Sequence, residues 1–129
     1  MINDQIADLL TRIRNAYSAG FISCEVLNSK MNMRILTVLK KYNYIVDFKV
    51  NKEGDGFAKI MVALVTKPLR KFNFKRVSKS GQRIYKGTAK LHKVCDGLGI
   101  AVLSTHKGVM SSVEAHKKNI GGEVLLEVW

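Results

Sequence analysis

Apolar side chains recur three and four positions apart at Ile6, Leu9, Leu10, Ile13 and Tyr17, the spacing of one face of an α-helix. Asn3 or Asp4 stands before the run as an N-cap and Gly20 follows it as a stop, so the pattern predicts a helix over 4–19 with Arg12 and Arg14 off the apolar stripe. The period then changes. Ile22, Cys24 and Val26 alternate as in a strand, after which Ser29 can cap a second helix. That helix carries Met31, Ile35, Leu36, Leu39 and Tyr42 on one side, and Lys30 and Arg34 mark its outer face. Val46, Phe48 and Val50 alternate with Asp47 and Lys49, residues 53–56 turn the chain, and 57–65 return as a partner strand. The first half therefore reads α-β-α-β-β.

Pro68, the one proline, lies in a stretch read as a linker, because proline has no amide hydrogen to give to a central ladder. The expected organisation is an N-terminal domain over 1–66, a linker at 67–72 and a β-rich second domain over 73–129. Within the latter, 73–77 and 82–85 look like two strands around a turn at 78–81, and 91–94 like a brief helical turn. Residues 99–104 read as a buried strand and 105–108 as a tight polar turn. Ser111 and Glu114 form a capping box that opens a short helix to about 118. Gly121 and Gly122 end that helix, and 123–129 turn Val124, Leu126 and Val128 inward as a last strand. The fold class is α+β in two small domains, without internal repeats.

Charge gives this frame a purpose. Of 129 residues, 22 are Lys or Arg and 10 are Asp or Glu, a net charge of +12. With 47% hydrophobic residues a disordered polycation is excluded, and a polyanionic partner is implied. Residues 67–93 hold ten cations and no acid: Lys67, Arg70, Lys71, Lys75, Arg76, Lys79, Arg83, Lys86, Lys90 and Lys93, interleaved with Phe72, Phe74 and Tyr85. A solubilising surface mixes signs, so an acid-free run of this length points to phosphates as the compensating charges. No apolar run approaches the ~18 residues of a membrane span, and no membrane partner is expected. The N-terminus lacks the features of a secretion signal or transit peptide and is read as that of a mature protein. Cys24 and Cys95 are read as reduced core thiols.

Catalytic and cofactor chemistry finds little support. Gly97-Leu98-Gly99 precedes a strand where a dinucleotide fingerprint must follow one, and Lys107-Gly108 reverses the order of a phosphate-binding loop. His92-x-x-Cys95 is one ligand pair without a second, since Cys24, His106 and His116 are scattered. Ser104 and His106 lack a third group to orient the imidazole. No enzyme activity, metal or cofactor is expected. The turn of Ser104, Thr105, His106, Lys107 and Gly108 is more suggestive, because short hydroxyls and exposed amides can approach 2′-OH groups and base edges of RNA closely. Lys79 and Arg83 are expected to grip phosphate. A DNA-binding architectural protein would need a longer basic helix or arm, and DNA is not the expected partner.

Gly97-Leu98-Gly99-Ile100-Ala101-Val102-Leu103-Ser104-Thr105, Lys107-Gly108-Val109-Met110 and Gly121-Gly122-Glu123-Val124 together resemble the bacterial-type small-subunit ribosomal protein eight family. Asp8-Leu9-Leu10-Thr11-Arg12-Ile13-Arg14-Asn15-Ala16 and Arg76-Val77-Ser78-Lys79, with Gly81 and Arg83-Ile84-Tyr85, extend the resemblance over nearly the whole chain. It implies a primary binder of small-subunit ribosomal RNA that fixes a central-domain helix junction during assembly, beside neighbouring small-subunit proteins. By the same resemblance the turn at 104–108 enters an irregular internal loop of the RNA, aided by the Tyr85 ring and the stretch Gly121, Gly122 and Glu123; Lys86 is expected to bind RNA as one of the cations of 67–93. Arg12, Arg14, Lys30 and Arg34 would touch RNA backbone. Some family members also repress translation of their own messenger RNA; a non-ribosomal nucleic-acid-binding role is the remaining alternative. The implied location is the ribosome of a bacterial cytoplasm or an organelle. Four positions depart from the family's habit: His106 for serine, Ser80 for proline, Asn43 for glycine and His116 for arginine.

Overall fold

The computed structural model describes residues 4–51, 59–68, 70–79, 81–87 and 98–129. Spatial proximity along the chain divides it into two compact units with the break between Lys71 and Phe72.

In the first unit, α1 (Gln5–Ala19) begins where the Asp4 carboxylate accepts the Ala7 N–H at 3.1 Å, satisfying one of the orphan donors of the first turn. The helix buries Ile6, Leu9, Leu10, Ile13 and Ala16, each large aliphatic side chain contributing roughly 1.5–3 kcal/mol. Tyr17 at the end of the stripe is half-buried, and its hydroxyl donates to the Tyr44 carbonyl at 2.7 Å while accepting the Val65 N–H at 3.1 Å. Next come β1 (Ser23–Leu27) and α2 (Lys30–Lys41), whose first turn is capped by the Ser29 hydroxyl accepting the Asn32 N–H at 3.1 Å. Then β2 (Asp47–Asn51) and β3 (Lys59–Ala63) complete an antiparallel sheet of order β1-β3-β2. The expected α-β-α-β-β order is present, with β3 in the centre pairing both neighbours.

Val46, expected inward, is 55% exposed, whereas Tyr44 and Ile45 are buried. The cause lies at the end of α2. Asn43, where the resembled family usually has glycine, takes a left-handed φ of 65°, a conformation asparagine tolerates. Its N–H reaches the Lys40 carbonyl at 3.1 Å and the Tyr44 N–H reaches Leu39 at 2.9 Å. This closure turns the chain back so that the two following residues enter the core. The expected turn at 53–56 lies outside the described residues, as does the helical turn at 91–94.

The second unit contains β4 (Phe74–Arg76), β5 (Tyr85–Lys86), β6 (Ile100–Thr105), β7 (Gly108–Ser111), α3 (Ser112–Lys117) and β8 (Gly122–Val128). Its strand order is β4-β8-β6-β7, with β5 also on β8. The expected hairpin of 73–77 with 82–85 is corrected: β4 pairs the far end of β8, Phe74 opposite Val128, and β5 pairs its start, Tyr85 opposite Glu123. Between them Lys79 and Gln82 exchange backbone hydrogen bonds at 2.9 and 3.0 Å. The strand β7 was not expected, because its four residues are too few to show a period.

On β8 the alternation breaks. Val102 faces Leu126 but Leu103 faces Val124, so Leu125 is the extra residue of a β-bulge, and Val124, Leu125, Leu126 and Val128 are all buried. Ala101, Leu103, Met110, Ala115 and Val124 form a core cluster against which Val77 and Trp129 pack. The Ser111 hydroxyl caps α3 by accepting the Glu114 N–H at 3.1 Å. Asn119, with φ 57°, ends that helix, as the Ile120 N–H reaches Ala115 at 2.9 Å. The glycines at 121 and 122, expected to be the stop, serve another purpose. Among the described residues no helix is long and apolar enough to cross a membrane.

Candidate nucleic-acid interface

Four strands bring most of the expected contact residues of the second unit to one end of its sheet. Tyr85 on β5 lies opposite Glu123 on β8, Glu123 lies opposite Ser104 on β6, and Ser104 lies opposite Val109 on β7. Directly opposed residues project to the same face, so an aromatic ring, a carboxylate and a hydroxyl stand in one transverse row. One step further out lie Lys86 opposite Gly122, and Thr105 opposite Gly108.

The close fit of this row depends on Gly121 and Gly122. A Cβ on Gly121 would stand 2.5 Å from the Lys86 carbonyl oxygen, and one on Gly122 would stand 2.4 Å from the Ser104 carbonyl oxygen. Both obstacles are backbone, which cannot swing aside. The two glycines therefore let the start of β8 lie tightly between β5 and β6.

His106 and Lys107 form the exposed two-residue turn between β6 and β7. Gly108 closes it at φ 113°, where a side chain would be strained. The Thr105 hydroxyl donates to the Gly108 carbonyl at 2.8 Å and accepts the Lys107 N–H at 3.1 Å. Its proton and one lone pair hold the turn, leaving a single lone pair to face outward. Ser104 beside it is half-buried.

The cations are placed unevenly. Lys75, Lys79 and Arg83 are exposed, Lys86 and Arg76 are half-buried, and Lys90 and Lys93 lie outside the described residues. Although no acid occurs in 67–93, Arg83 is compensated through space: its Nη1 lies 3.1 Å from Glu123 Oε2. Sequence reading missed this pair because the partners are 40 residues apart. It also missed Ser78, which is 1% exposed and whose hydroxyl accepts the Ile84 N–H at 2.9 Å. Arg76 Nε donates to the Ser78 carbonyl. Ser78 thereby anchors both ends of the segment that presents Lys79 and Arg83; a small polar residue beside a basic turn was the only local signal for it.

In the first unit Arg12, Arg14, Lys30 and Arg34 are all exposed. Arg12 Nε pairs with Asp8 Oδ2 at 3.0 Å, while Lys30 and Arg34 stand one helical turn apart on α2. A cleft of about 290 Å³ beside Arg12 is lined by Gln5, Asp8, Glu25, Val26, Leu27 and Lys59. Cys24 is a free, half-buried thiol whose burial pushes its pKa up. His92 and Cys95 lie outside the described residues. Among the described residues no three His, Cys, Asp or Glu side chains gather as a metal site would require.

Known proteins extend the picture. Residues 4–129 match the family described as Ribosomal protein S8. A "Small ribosomal subunit protein uS8" of Roseiflexus castenholzii is 44% identical, covering 99% of this chain and 98% of that relative. Proteins of the same name from Prochlorococcus marinus, at 46% identity and 98% coverage of both chains, and from Acholeplasma laidlawii, at 44% identity over 100% of this chain and 99% of that one, are also similar.

Proposed function

Because the chain belongs to the ribosomal protein S8 family, we propose that it is a structural, non-enzymatic constituent of the small ribosomal subunit that binds small-subunit ribosomal RNA. Its target is a central-domain helix junction, which it fixes during assembly beside neighbouring small-subunit proteins. The observation that carries this reading is the row of Tyr85, Glu123 and Ser104 on adjacent strands, ending in the turn at 104–108. A ring, an acceptor and a hydroxyl side by side suit unstacked bases and 2′-OH groups in an irregular RNA loop.

Positioning and discrimination fall to different residues. Lys79 and Lys86 supply attraction to phosphate that any RNA can satisfy. Ser104, Thr105, His106, Lys107 and Gly108, with Gly121, Gly122 and Glu123 behind them, set the shape that one RNA fits. Arg12, Arg14, Lys30 and Arg34 add backbone contacts from the first unit.

A competition gel shift tests this. A central-domain fragment of small-subunit rRNA competes against scrambled RNA and duplex DNA of equal length at several salt concentrations. The rRNA fragment is expected to win at every salt concentration, with all affinities falling as salt rises. Equal binding of the rRNA fragment and scrambled RNA, or a preference for DNA, would refute the reading.

A further inference from the structure

The acid-free run of cations suggests one task for every arginine in it, yet Arg83 uses its guanidinium on Glu123, at 3.1 Å. The Arg83 side chain is 55% exposed and that of Glu123 only 13%, so the carboxylate is the shielded member and the arginine its outer brace. Glu123 sits in the middle of the row, with Tyr85 on one side and Ser104 on the other. Tyr85 is 69% exposed, its ring available to a stacking partner.

A carboxylate at the centre of a face otherwise suited to phosphate repels every polyanion alike. Arg83 offsets part of that cost, and the acceptor capacity left on the carboxylate offsets more where it finds further hydrogen-bond donors. Phosphodiesters have none, whereas nucleobases carry amino and imino N–H groups, so an anionic acceptor there favours bases over backbone. An ion pair with one largely exposed partner contributes little to stability. Its use must be sought in binding.

We propose that Arg83 is a positioning residue that acts through Glu123, holding the carboxylate as an acceptor for the N–H groups of an unstacked RNA base beside Tyr85. It makes no phosphate contact of its own. The proposal rests on the reading of the chain as an rRNA binder.

Salt dependence separates the two roles, since removing one cation from a phosphate flattens the slope of log K against log salt by about one unit. Fluorescence anisotropy of the full chain is measured across a potassium chloride series with the central-domain rRNA fragment and with scrambled RNA of the same length. For Arg83→Gln the expected result is an unchanged slope and a roughly 5- to 100-fold fall in the ratio of rRNA to scrambled affinity. Glu123→Gln lowers the ratio similarly, and the double variant falls no further than the worse single one. A shallower slope with equal loss on both RNAs would assign Arg83 to phosphate and overturn the proposal. Additive losses, or an unchanged ratio, overturn it too, as would a fall in stability, followed by Trp129 fluorescence, that tracks the loss of binding. Wild-type protein without any preference for the rRNA fragment would instead bring down the rRNA reading itself.

Discussion

Gly122→Ala adds one methyl group where the row has no room for it. Its Cβ would stand 2.4 Å from the Ser104 carbonyl oxygen and 3.0 Å from Thr105 Cγ2, against an ordinary contact of at least 3.4 Å. The backbones must therefore part by about 1 Å. Retreat in the other direction is blocked, because β8 is bonded on that side to β5 and Gly121 already lies against Lys86 and Gly87. Over-packing of this kind costs about 1–3 kcal/mol. It also displaces Ser104 and its turn from Glu123 and Tyr85 by a distance over which hydrogen bonds fail. Trp129, the sole tryptophan, packs against the core of the second unit and reports its unfolding in urea by fluorescence. The expected outcome is a loss of about 1–3 kcal/mol in that transition and, at concentrations where the protein stays folded, an rRNA affinity lower by at least roughly tenfold. Gly81→Ala, where an added Cβ meets nothing within 4 Å, serves as the control and should change neither. Wild-type stability and rRNA affinity in Gly122→Ala would refute the argument that tight strand approach builds the site.

Three further outcomes are expected. Thr105→Val removes the hydroxyl that ties Lys107 to Gly108, and should cost roughly 1–3 kcal/mol for the rRNA fragment while sparing scrambled RNA, with Thr105→Ser restoring most of it in the same anisotropy assay. Lys79→Gln and Lys86→Gln should weaken all RNA alike and flatten the salt slope by about one unit for each phosphate left without its lysine, as measured across a potassium chloride series. Tyr17→Phe removes both bonds that join α1 to Tyr44 and Val65, and should destabilise the first unit by about 1–3 kcal/mol in urea followed by helical circular dichroism. Burial, ahead of the lesser effects of Val65 and Cys24, raises the Tyr17 pKa above its ordinary 10.0, so its stabilisation is complete below that pH and is lost as pH climbs through the raised value; a Tyr17→Phe variant without that extra alkaline sensitivity is the matching control.

Local chemistry was the legible part. The stripes of α1 and α2, the caps at Asp4, Ser29 and Ser111 and the polar turn after β6 depend on residues within four positions of one another, and each stands where the pattern placed it. What depends on distant partners was not legible. The bulge at Leu125 arises from the register with β6, and the placing of β5 on β8 from a pairing nearly 40 residues away. The purpose of Gly121 and Gly122 shows only once Lys86 and Ser104 are beside them; read locally, the same two glycines look like a helix stop. At the candidate site Tyr85, Glu123, Ser104 and the turn after β6 lie together, but the ion pair between Arg83 and Glu123 has no local signal, since its partners stand 40 residues apart.

The strand from Gly122 to Val128 joins β4, β5 and β6, none of which it follows directly in the chain. During synthesis the hairpin bearing Thr105 and Gly108 can close as soon as it leaves the exit tunnel, but the pairings that set Tyr85 and Ser104 on either side of Glu123 form only when that strand arrives. On the proposed function, a nascent polypeptide cut short before Gly122 would thus be expected to hold nucleic acid by charge alone, without preference for one sequence.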